Sequence, residues 1–90
     1  MHEMSLIRDL LHKVEAVAAE QNAARVTAVG VWIGALAHIS TDHFREHFVD
    51  GTRGSIAEHA RLDIELSDDT TDPNAQDILL THVEVEDLVD

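Results

Sequence analysis

Apolar positions along this chain follow two periods, and the changes of period mark its elements. Ile7, Leu10, Leu11, Val14, Val17 and Ala18 recur at three- and four-residue spacing, which is one face of an amphipathic helix over about residues 4–21. Asn22 is a suitable stop for it. Over residues 25–33 the period falls to two. Val29, Val31 and Ile33 share one side, and Ala28, Gly30 and Trp32 share the other. Gly34 ends that strand. Ser40 or Thr41 caps a second helix over about residues 41–50, with Phe44 and Phe48 on one face and Gly51 as its terminator. Ser55-Ile56-Ala57-Glu58 carries the capping-box pattern of a short helical turn.

Residues 60–66 alternate again, with Leu62, Ile64 and Leu66 inward and Arg61, Asp63 and Glu65 outward. A last strand over 78–86 is expected to place Leu79, Val83 and Val85 on one face, and Leu80, His82, Glu84 and Glu86 on the other. Residues 67–77 between these strands form a short acidic loop, broken by Pro73. The order is helix-strand-helix-strand-strand. Alternation in the strands means burial on one side only. The predicted fold is therefore α+β, with two helices packed on one face of a three-stranded mixed sheet. At 90 residues the chain is expected to be a single domain, 1–90.

Charge narrows the classes of function. Six Lys and Arg stand against 18 Asp and Glu, for a net charge of −12. A phosphate backbone or an anionic membrane needs the opposite sign, so neither nucleic acid nor membrane is an expected partner. Such a surface attracts cations or a basic partner. No cysteine is present, which excludes a thiolate zinc site and a disulfide framework. Arg8 and Asp9 interrupt the first apolar run, so it does not have the form of a signal peptide, and a cytoplasmic location is expected. No nucleophile–base pair or phosphate loop appears, and the chain is not read as an enzyme.

The candidate chemistry lies at the first residues, Met1-His2-Glu3. The Met1 amine, the His2 main-chain nitrogen and His2 Nδ1 can close adjacent five- and six-membered chelate rings. An all-nitrogen tetragonal set suits Ni(II) or Cu(II) better than Zn(II), Mg(II) or Ca(II). The amine and Nδ1 lie trans across the His2 amide, which leaves one corner of the square open. The Glu3 amide cannot take that corner, although it can compete with the amine. If the first strand doubles back along the first helix, residues 34–38 return near His2, and His38 is the best side chain for the open corner. A parallel second strand would bring the acidic loop to the same end, where Asp68, Asp69 and Asp72 are the alternative to His38, supplying outer-sphere charge instead of a ligand.

These pieces, taken in order, resemble the HypA/HybF nickel chaperones of [NiFe]-hydrogenase maturation. The matching segments are Met1-His2-Glu3-Met4-Ser5-Leu6, Arg25-Val26-Thr27, Ile33-Gly34-Ala35-Leu36, Thr52-Arg53-Gly54-Ser55-Ile56-Ala57-Glu58 and Val83-Glu84-Val85-Glu86. The resemblance implies a metallochaperone with His2 as the essential Ni(II) ligand and Glu3 assisting, through its amide or in docking. It implies a maturation GTPase and a hydrogenase large subunit as partners. It departs from the family in one respect. Two Cys-x-x-Cys pairs normally form a zinc module before the last strand, whereas here only the acidic loop 67–77 stands there, so no structural zinc is expected.

Other features compete for function. Trp32 and Leu80 are expected on the open face of the sheet, as anchors for a partner or a homodimer. A domain that kept a docking surface and lost its metal role is the alternative reading. His43 and His47 are four apart on one helix with Glu46 beside them, but no third ligand is indicated, and an ordinary solvated pair is the better account. His12 falls on a solvent face. His59 stands where the family usually has glycine, which reads as a turn variation.

Overall fold

The computed structural model describes residues 2–87, with side chains from residue 5 onward. Its order is α1 (His2–Glu20), β1 (Ala23–Ile33), α2 (Thr41–Thr52), β2 (Arg61–Leu66) and β3 (Ile78–Asp87). The sheet runs β2-β1-β3, with β2 parallel and β3 antiparallel to β1. Both helices pack against this mixed sheet, which is the α+β architecture expected from the pattern.

The core is aliphatic with two phenylalanines. Ile7, Leu10, Val14 and Ala18 of α1 meet Val26, Val29, Val31 and Ile33 of β1, and Phe44 and Phe48 of α2, Ala57, and Leu62 of β2 complete the cluster. α1 closes at Asn22, whose φ of 52° is the left-handed turn that asparagine tolerates. Ser40 is the cap of α2, its hydroxyl accepting from the His43 amide at 3.1 Å. Such a cap contributes about 1 kcal/mol.

Three local expectations are corrected. Gly51 does not end α2, which continues to Thr52, while Gly54 takes the positive φ of 73°. A β-carbon at residue 51 would approach Leu11 Cδ1 to 2.8 Å, so that glycine lets α2 lie close to α1. The segment from Ser55 to Glu58 forms successive turns rather than a capping box. Ser55 Oγ accepts from the Ala57 amide, and the Glu58 amide bonds the Ser55 carbonyl. Leu66 is 61% exposed, although Leu62 of the same strand is buried.

The largest correction lies in β3. Gly30 pairs with His82 but Val31 pairs with Leu80, so Thr81 is an extra residue in β3. Such a bulge reverses the facing of every residue beyond it. Ile78 and Leu80 therefore join Val83 and Val85 against the core, and Leu79 turns outward at 38% exposure. A second bulge at Thr27 in β1 puts Val26 on the core side with Val29, despite their odd spacing.

Candidate functional site

The parallel pairing of β1 with β2 brings the end of β1, the end of β2 and the start of β3 to one end of the domain. The loop after β2 is docked there by backbone bonds. The Leu36 amide donates to the Ala75 carbonyl at 2.7 Å, and the Gly34 amide to the Asp77 carbonyl at 2.9 Å. Ala75 is 4% exposed in consequence. Asp69 and Asp72 shape the loop itself. The Asp69 carboxylate accepts from the hydroxyl and amide of Thr71, and that of Asp72 from the Asn74 amide. The Thr71 hydroxyl, and then its amide, hold the Asp69 carboxyl below its ordinary titration range.

Between this loop and α1 lies an open groove of about 470 Å³, lined by Ser5, Leu6, Leu36, Ala37, His38 and Gln76. His38 is exposed and holds a left-handed backbone, φ 57°, at the turn after β1. The first described side chains of α1 and His38 thus share one groove. Met1 and the side chains of His2 and Glu3 lie outside the described residues.

The opposite face of the sheet carries Trp32, half-buried between its strand neighbours Glu65 and Leu79. Leu80, expected beside it, packs instead on the core side through the Thr81 bulge, so it is Leu79 that accompanies Trp32. His43 and His47 lie with ring centroids 6.2 Å apart along an open groove on α2 that also includes Glu46 and Asp50.

The same sheet face holds a polar cluster that sequence reasoning missed. Arg61 Nε and Nη2 bond the two oxygens of Asp63 at 2.9 and 3.1 Å, and Nη2 also reaches Glu84 Oε2 at 3.2 Å. His82 Nε2 stands 3.2 Å from Asp63 Oδ2. The Arg61 guanidinium, helped by His82, holds the Asp63 carboxyl below its usual range. Beneath these side chains are only Ala28 and Gly30 of β1, whose small size lets long polar groups lie flat on the sheet. Outward alternation put Arg61, Asp63, His82 and Glu84 on one face, but the order of strands, which brings them together, was not readable from the pattern.

The comparisons give the class of this α+β domain. The chain belongs to the HypA family: the profile described as "Hydrogenase/urease nickel incorporation, metallochaperone, hypA" matches residues 1–72. The hydrogenase maturation factor HypA of Methylocella silvestris is 42% identical over 66 residues, covering 73% of this chain and 58% of the relative. That of Azotobacter chroococcum is 45% identical over 64 residues, or 71% and 57%. The alignments thus span little more than half the length of these relatives. The solution structure of the Ni metallochaperone HypA from Helicobacter pylori matches with a TM-score of 0.79 at 17% identity, covering 96% of this chain and 98% of that one. A second solution structure, of a HypA protein, matches at 0.71 and 22% identity, covering 94% and 96%. At these identities the likeness is one of fold. The family is one of metallochaperones and maturation factors, not of enzymes. No helix among the described residues is long and apolar enough to cross a membrane.

Proposed function

We propose that this chain is a cytoplasmic nickel-binding accessory protein of [NiFe]-hydrogenase maturation, which captures Ni(II) at Met1-His2-Glu3 and passes it to a hydrogenase large subunit, directly or through a maturation GTPase. The observation that carries the reading is the family membership, whose match over residues 1–72 includes the Met1-His2-Glu3 motif. Two features support it. α1 begins at His2, and the first amides of a helix have no intrahelical partner, so the His2 nitrogen is not committed to the helix. His38 lines a groove together with Ser5 and Leu6, the first described side chains of α1, which supports it as the candidate fourth ligand. In this reading the whole of 1–90 is one nickel-binding-type domain, and the acidic loop 67–77 takes the place of the family's zinc module.

The test is a Ni(II) titration of protein with its native N-terminus beside a form extended by one glycine, followed by calorimetry and visible absorption. Extension turns the amine into an amide, so square-planar binding is expected to disappear. Binding that survives extension would retire the site. Because an imidazole and an amine lose protons on binding, affinity is expected to fall between pH 8 and pH 5.5. His38→Ala separates a ligand from a bystander, since an unchanged spectrum removes His38 from the coordination sphere.

A second reading rests on Trp32 with the exposed Leu79 beside it. These form an apolar spot on an otherwise charged face. In that reading the domain docks a partner, or a second copy of itself as a homodimer, through this face. Loss of association in Trp32→Ala with nickel irrelevant would favour it.

A further inference from the structure

We propose that Asp63, His82 and Glu84 form a second metal site, on the sheet face, for a divalent first-row ion, and that Arg61 occupies it when no ion is present. Among the described residues, this is the group of three whose ligand atoms all lie within 4.8 Å of one another. His82 Nε2 is 3.2 Å from Asp63 Oδ2 and 3.9 Å from Glu84 Oε2. Ligands about 2.0–2.2 Å from one ion, at tetrahedral or octahedral angles, stand about 3.0–3.5 Å apart. Closing around an ion therefore needs only a small movement of exposed side chains.

The imidazole is prepared for this independently of the carboxylates. Its ring lies against the Gly30 backbone, where a β-carbon would overlap both Cε1 and Nδ1. Thr81, the bulged residue, places its hydroxyl 3.2 Å from Nδ1. Without an ion, Nε2–H donates to Asp63 and Nδ1 can accept from that hydroxyl; on metal binding the proton moves to Nδ1, which then donates to the Thr81 hydroxyl and leaves the Nε2 lone pair for the ion. A second-sphere bond of this kind fixes the tautomer and ring plane of metal-bound histidines. One imidazole and two carboxylates, with no sulfur, suit ions such as Zn(II), Co(II) or Mn(II). Arg61 Nη2 sits between the same oxygens, 3.1 Å from Asp63 and 3.2 Å from Glu84. An ion must displace it, and the guanidinium is exposed, so it can turn to solvent once the ion takes the carboxylates. The site is remote in chemistry from the N-terminal chelate and does not depend on it.

The experiment uses Co(II) with the glycine-extended protein, so that a failure of the N-terminal reading does not affect it. One Co(II) per chain is expected, with paramagnetic shifts and broadening centred on His82, Asp63 and Glu84. His82→Ala and Asp63→Asn should each weaken binding about tenfold or more, and Arg61→Gln should tighten it by about tenfold. Gly30→Ala, which pushes the ring aside and leaves all three ligands present, should also weaken it. No Co(II) uptake, broadening centred elsewhere, or unchanged affinity in both His82→Ala and Asp63→Asn would overturn the site. Circular dichroism of each variant separates loss of a ligand from loss of the fold.

Discussion

The imidazole of His82 rests on the backbone of Gly30, the residue opposite it in the sheet, and fills the space that any side chain at position 30 would need. This contact joins the β3 bulge to the polar cluster. It also makes a glycine in the central strand a determinant of what lies on the open face. Gly30→Ala is expected to abolish the nuclear Overhauser contact between the His82 ring and residue 30, and to break the contact with Asp63. His82 is partly exposed and can move, so stability should change by about 1 kcal/mol or less. A retained ring contact would show that the imidazole does not need the glycine.

Gly34 has a different partner and a different cost. A β-carbon there would overlap the carbonyl of Ala75, which is backbone and cannot rotate away. Gly34→Ala should therefore lift the acidic loop from the end of β1, at a cost of about 1–3 kcal/mol. The Leu36 amide, bonded to Ala75, reports it directly. Its hydrogen exchange should accelerate more than that of amides in the middle of β1, and uniform acceleration would argue against local release.

His59 holds φ 68°, a backbone that glycine adopts without strain. His59→Gly relieves about 1–2 kcal/mol of left-handed strain but adds freedom to the unfolded chain. A net gain of about 0.5 kcal/mol in urea denaturation is expected. His59→Val should destabilise instead, because a β-branched residue fits that region poorly. Equal stability in all three would show that the turn relaxes.

Asp69 gives the pH test. Its folded carboxyl titrates below the ordinary aspartate value because Thr71 donates two hydrogen bonds to it. A depressed folded value means that the ionised form is favoured in the fold. Its contribution is complete above the unfolded aspartate range, and is lost as pH falls through the lower folded value. Thr71→Val removes the hydroxyl and leaves the amide. A carboxyl-detected titration should then move Asp69 upward, part of the way to the ordinary value. No movement would assign the depression to the backbone amides of Thr71 and Asp72.

Much of this protein was determined by local sequence. Three- and four-residue spacing defined α1, alternation located β1 and β2, and Asn22 and Ser40 closed and opened the helices as their side-chain chemistry dictates. The first residues and the dispersed motifs sufficed for the family. Tertiary structure alone decided the facing of β3, because one bulged threonine reverses the alternation, and a bulge is a property of two paired strands. That is why Leu80 is inside and Leu79 outside. Gly51 looked like a helix end and is a close contact, since only packing shows what lies across from it. Asp63, His82 and Glu84 are separated by up to 21 positions, and meet because β2 and β3 flank the same small residues of β1. Periodicity assigns a residue to a side of its own strand, but only pairing between strands decides which residues become neighbours on it.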